Sequence, residues 1–322
     1  MADDELTTVE RDFIATLPRP PEMAEIQASN VWIVEWLPAN EPHTGRTLHD
    51  WMKARREGWS AHFSCASKNE VLAAIANAAE RARRLEMKPV LHLESHGDNE
   101  GLKGPDGNGG MEFLTWDELT EPLQQLNVAT CCSLVVVVAA CTGFAAVQAL
   151  VCGPRAPAVA LVGPDASVMP RNLLWGAKEF YRRLLDDNPS LSDMAESASR
   201  EAGTVVFEIE PFAILAYEAM VECLLKSNRP AEGLKRAARI RERMLAETGL
   251  PKAEIESRMS LLPPLPSWEH LQHVWDEMFM IDLDSKNRER FGLDLKTIVE
   301  RIAASNIADE GMPPDNGMQA SA

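Results

Sequence analysis

The chain has 322 residues, 45% hydrophobic and 25% charged, the composition of an ordinary globular protein long enough for a large core. Its 49 acidic and 32 basic side chains leave a formal net charge of -17, so neither nucleic acid nor an anionic membrane is an expected partner. No apolar run approaches the roughly 20 residues of a membrane span. The acidic opening Met-Ala-Asp-Asp-Glu-Leu is unlike a secretory leader, which predicts a cytoplasmic protein. The cysteines (Cys65, Cys131, Cys132, Cys141, Cys152 and Cys223) have neither regular spacing nor a C-x-x-C pair. Free thiols are expected, and no structural zinc.

In chain order, residues 1–28 read as an acidic, proline-bearing mobile arm. Val31 to Leu37 has the branched and aromatic content of a strand, and a polar helix-prone stretch covers 46–57. His62 to Cys65 reads as a short strand. Ser67 and Asn69 offer caps for a helix over Val71 to Leu85. Lys88 to Leu93 reads as a strand running into Ser95-His96-Gly97-Asp98. The Asp106-Gly107 and Asn108-Gly109 pairs predict a hairpin or irregular loop over 101–110. Thr115 and Glu118 form a capping-box signature for a helix reaching about Leu126. Ser133 to Ala139 is a valine-rich run typical of a strand buried on both faces.

Gly143 to Leu150 looks helical, Ala156 to Val162 strand-like, and Arg171 to Leu185 an amphipathic helix. Thr204 to Ile209 offers a last strand. Strands alternating with helices imply an α/β fold with a mostly parallel sheet and helices on both faces. This domain is expected over 29–210, a helical C-terminal region over 211–310, and a disordered tail over 311–322. In that region the arginine-rich stretch Glu232 to Glu247 and the Pro263-Pro264 break stand out.

Ligands of an open parallel sheet gather beyond the carboxyl ends of its strands. Two reactive side chains are predicted there: His96, with Gly97 after it, and Cys141, with Thr142-Gly143 after it. Histidine can take the thiol proton and return it to a leaving amine. Gly97 admits a scissile carbonyl closely, and its N–H with that of Cys141 can hold an oxyanion. Alone, Cys141 reads more readily as a small buried hydrophobe than as a nucleophile; a histidine at the right spacing reverses that in favour of chemistry. His92 and His96 do not form a zinc pair, because His-Leu-Glu-Ser-His on a strand lacks the helical H-E-x-x-H order.

A strand ending in His-Gly followed by an apolar strand ending in Ala-Cys resembles the caspase-like cysteine peptidases. The match is Val90-Leu91-His92-Leu93-Glu94-Ser95-His96-Gly97 and Leu134-Val135-Val136-Val137-Val138-Ala139-Ala140-Cys141-Thr142-Gly143. The 45-residue separation of His96 and Cys141 is close to the roughly 50 of the caspase pattern. Leu114 to Leu119, Val162 to Ala166 and Glu179 to Leu185 look most like the bacterial CHAT branch, and the resemblance spans about 30–210.

The resemblance implies a caspase-like three-layer sandwich and a cysteine endopeptidase that needs no cofactor. It implies a protein or peptide substrate, an activating sensor or regulatory partner, and a place in a bacterial stress or phage-defence system. Ala139 stands where caspases have glutamine and metacaspases an acid, so neither specificity carries over. Asp165 is an alternative acid to pair with a basic substrate residue, or a turn aspartate bonded to its own backbone. Glu94 is a second such acid, or orients His96. The rival reading is a catalytically silent scaffold or regulatory module on the same fold.

Overall fold

A computed structural model of the chain describes residues 6–21, 28–149, 154–186, 190–203, 207–229 and 265–305, with isolated residues 238, 241, 242, 254 and 255. The expected arginine-rich helix and Pro263-Pro264 break fall largely or wholly outside these, as do Cys152 and the tail 311–322.

Valine, isoleucine, leucine and tryptophan runs form strands buried at every position: β1 (Asn30–Trp36), β6 (Val135–Ala139) and β7 (Ala160–Pro164). With β2 (Ser60–Ser64), β3 (Pro89–Asp98) and β8 (Phe207–Pro211) they make a sheet in the order β2-β1-β3-β6-β7-β8. Every pairing in this path is parallel except β7–β8. The fold is therefore α/β with a mostly parallel mixed central sheet. Strand β3 runs further than its sequence suggests, because its last residues pair antiparallel with β4 (Gly101–Pro105), which forms a hairpin with β5 (Met111–Thr115). In the turn, Asp106 accepts from the Asn108 and Gly110 N–H groups at 2.8 Å each.

The chain steps from β1 to β2 in one direction and from β2 through β3 to β6 in the other. Right-handed crossovers then put α2 (Thr44–Arg55) on one face and α3 (Lys68–Leu85) and α4 (Trp116–Ala129) on the opposite one. On the α2 face, Val31, Ile33, Val90, Val135, Val137, Ala139 and Val162 share a core with Leu48 and Met52. That core also takes in Phe180 and Tyr181 of α6 (Pro170–Asp186) and Met194 and Ala198 of α7 (Leu191–Ala202). Ser67 caps α3, and Thr115 and Glu118 close a reciprocal capping box on α4, through the side chains the sequence singles out. Helix α7 is capped in the same way, with the Ser190 hydroxyl accepting from the Asp193 N–H at 3.2 Å. Its buried stripe Leu191, Met194, Ala195, Ala198, Ala202 has helical spacing and faces the core, with polar residues on the opposite side.

The chain divides into two compact units. The larger holds the sheet, residues 20–215, together with 276–292. Within it Arg155 grips Asp282 through two bonds of 2.6 and 2.8 Å, and Arg290 donates to the Cys132 carbonyl at 2.8 Å. The smaller comprises 1–19, 216–275 and 293–322. Among its described residues is α1 (Thr8–Ile14), set off by a Thr7–Glu10 capping box. The Glu10 carboxylate is gripped by Arg229 at 2.8 Å, and Arg301 donates to the Thr16 carbonyl at 2.7 Å.

Candidate active site

The β3–β6 ladder decides where the two reactive residues fall. Each β3 residue pairs with the β6 residue 45 positions further on, from Val90↔Val135 to Glu94↔Ala139. His96 and Cys141 have that same separation, so they lie in matching register two residues beyond the last pair. Side chains alternate along a strand, so both continue the row that faces α2. Gly97 closes the gap: a β-carbon there would lie 2.8 Å from the Ala140 β-carbon and 2.9 Å from the Cys141 carbonyl oxygen. Only glycine fits.

Cys141 sits at a sharp exit from β6. Thr142 adopts a left-handed φ of 52°, its Oγ1 donates to the Cys141 carbonyl at 2.7 Å, and a 3-10 turn begins at Gly143. A non-glycine residue in that conformation is uncommon and strained. The loop after β7 folds over the thiol. The Val168 N–H points at Sγ from 3.5 Å, and the Thr142 N–H donates to the Ala166 carbonyl at 3.1 Å. Among the described residues the Cys141 N–H donates to no protein group. Cys141 is half-buried and opens onto a cleft of about 490 Å³, lined also by Gly97, Asp98, Asn99, Glu100, Thr142 and Ser167.

His96 is half-exposed, and its Nε2 lies 2.8 Å from Glu41 Oε2. Glu41 belongs to the loop between β1 and α2. Strand order reverses between β1 and β3, which makes their carboxyl ends the switch point of the sheet, the place where ligands of such folds commonly bind.

Beneath lies a buried polar layer. Glu35 accepts from the Gly45 N–H at 2.8 Å and the Arg46 N–H at 3.3 Å, and its Oε2 meets His43 Nδ1 and His62 Nε2, each at 3.0 Å. Burial pushes the Glu35 carboxyl up, but the His62 hydrogen bond and charge, the Arg46 N–H and the His43 charge outweigh it and hold it below its ordinary value. Glu94 accepts from the Thr44 hydroxyl and bonds His92 Nε2 at 3.0 Å. His92 Nδ1 meets the Tyr181 hydroxyl at 3.0 Å, and burial keeps that phenol un-ionised.

The structure thus presses Gly97 against the Cys141 carbonyl but leaves His96 outside the cleft lining, two residues beyond the last β3–β6 pair and with no hydrogen bond to Cys141 among the described residues, and it sets two other acids apart. Glu94 is buried, and its bonds go to Thr44 and His92 rather than to His96. Asp165 is exposed at the end of β7 and does not line the cleft, although Ser167 two residues on does. The acids that line it are Asp98 and Glu100, and the partner of His96 is Glu41. Asp98 and Glu100 directly follow the His-Gly pair, which is the signal that could have marked them. Nothing in the sequence around Glu41 points to His96. Compared with known proteins, the chain matches no family model and no curated sequence.

Proposed function

We propose that this protein is a cysteine endopeptidase of the caspase-like kind, with Cys141 as nucleophile and His96 as general acid and base. The observation that carries the reading is the shared register of the two residues at the ends of adjacent parallel strands, with Gly97 pressed against the Cys141 carbonyl. His96 takes the thiol proton, and the sulfur adds to the carbonyl carbon of a peptide bond. The negative oxygen formed is held by the Gly97 and Cys141 N–H groups. Collapse breaks the C–N bond, and the amine leaves with the proton from His96. Water, deprotonated by His96, then hydrolyses the thioester and frees the thiol.

The substrate is a protein segment with lysine or arginine at the cleaved position, since the cleft beside the thiol is lined by Asp98 and Glu100. In this reading the sheet with its flanking helices is the caspase-like three-layer sandwich. The chain acts in the cytoplasm as a bacterial stress or phage-defence effector under an activating sensor.

Labelling by an acyloxymethyl-ketone peptide ending in arginine tests the chemistry. Wild type should be labelled at Cys141, and both Cys141→Ala and His96→Ala should lose the label. Undiminished labelling of Cys141→Ala would overturn the assignment.

A further inference from the structure

We propose that Glu41 is a positioning residue for His96: its carboxylate fixes the ring so that Nδ1 is the atom that exchanges a proton with Cys141. The inference rests on reading Cys141 and His96 as a dyad and adds a member to it. Glu41 Oε2 lies 2.8 Å from His96 Nε2. A carboxylate at that distance keeps a proton on Nε2, which leaves the Nδ1 lone pair of the neutral ring to accept the thiol proton. Once the proton has moved, the same carboxylate neutralises the imidazolium beside the thiolate.

Glu41 is part-exposed, so its hold on the ring depends on how firmly its loop is set. Both ends of that loop are anchored. It leaves β1 after Trp36, and its turn is closed by the Glu41 N–H donating to the Pro38 carbonyl at 3.0 Å. Its other end enters α2, whose N-cap residue His43 has no side-chain cap of its own. Glu35 supplies the missing acceptor for the Gly45 and Arg46 N–H groups and also holds the His43 ring, while Glu94 holds Thr44. Two buried carboxylates therefore fix the helix start two residues beyond Glu41. A loop anchored so on β1 reaches β3 because the two strands pair directly, from Asn30↔Pro89 to Trp36↔Ser95.

The experiment is alkylation of Cys141 by iodoacetamide in the full chain, with the rate resolved at that residue by peptide mass mapping. The thiolate displaces iodide to form an S–C bond, and the thiol proton stays on His96. Glu41→Gln should slow the reaction about tenfold at neutral pH. Glu41→Asp should recover part of the rate. Glu41→Gln should have no further effect in a His96→Ala background, because the carboxylate acts through the ring. An unchanged rate in Glu41→Gln with a slowed His96→Ala would overturn the role of Glu41 and leave the dyad standing. Faster alkylation in Glu41→Gln would also overturn it, as would an effect that persists without His96. An unaffected His96→Ala would remove the dyad itself.

Discussion

Glu35 and Glu94 stand directly opposite one another on β1 and β3, and both bind the first turn of α2. Like charges in register on neighbouring strands repel. Here each carboxylate has its own donors: the Gly45 and Arg46 N–H groups and two histidines for Glu35, the Thr44 hydroxyl and His92 for Glu94. The layer fixes the start of α2 and, with it, the loop that carries Glu41.

Glu35→Ala should therefore be costly. It strips a nearly inaccessible carboxylate from two backbone donors and two rings, and a loss of about 2–4 kcal/mol is expected. The folded-state pKa lies below the ordinary 4.5, so this stabilisation is fully present above that pH and fades as the pH falls through the folded value. Urea midpoints measured from neutral pH into the acid range should fall less steeply below 4.5 for Glu35→Gln than for wild type. Equal slopes would show that another group controls acid unfolding.

The cysteines should separate by reactivity. Burial pushes the Cys65 and Cys132 thiols up to about 12, so both stay protonated and shielded at neutral pH. Half-buried Cys141 opens onto the cleft, and Cys131 and Cys223 are exposed. Native iodoacetamide treatment followed by peptide mapping should modify Cys141, Cys131 and Cys223, and should reach Cys65 and Cys132 only after unfolding. Early modification of Cys132 would contradict the packing described for it.

Gly97→Ala tests the close approach at the site. The new methyl would meet the Cys141 carbonyl at 2.9 Å and the Ala140 methyl at 2.8 Å, so the two strand ends must part. Overpacking of this kind costs about 1–3 kcal/mol. The larger effect should fall on Cys141, with peptide-ketone labelling lost while circular dichroism at ambient temperature is unchanged. Labelling at the wild-type rate would mean that the strand ends need not touch for reactivity.

Substrate choice should follow the acids of the cleft. Asp98→Asn combined with Glu100→Gln should raise KM for arginine-containing peptides by about five- to tenfold with little change in kcat, as expected for part-solvated charges. Asp165→Asn, outside the lining, should change KM by less than about twofold. The opposite ranking would return the selecting role to Asp165.

Much of the fold was legible because its signals are local. Valine-rich runs marked β6, the Ser67 cap and Thr115–Glu118 box marked α3 and α4, and alternation of strands with helices implied the parallel sheet. Helix α7 was not read although Ser190-Leu191-Ser192-Asp193 carries a capping signal, and the β3 extension escaped because it depends on a partner strand.

By itself the sequence determined the identities and spacing of His96, Gly97 and Cys141, since a 45-residue offset between two strand ends can be read without coordinates. Only the tertiary structure decided that this offset equals the pairing register and therefore places the two residues level. It alone sorted the acids as well, burying Glu94, exposing Asp165, and bringing Glu41 to His96 across 55 positions of chain. The physical reason is that hydrogen-bond register and crossover direction join residues remote in sequence, and no local propensity encodes which carboxylate meets which ring.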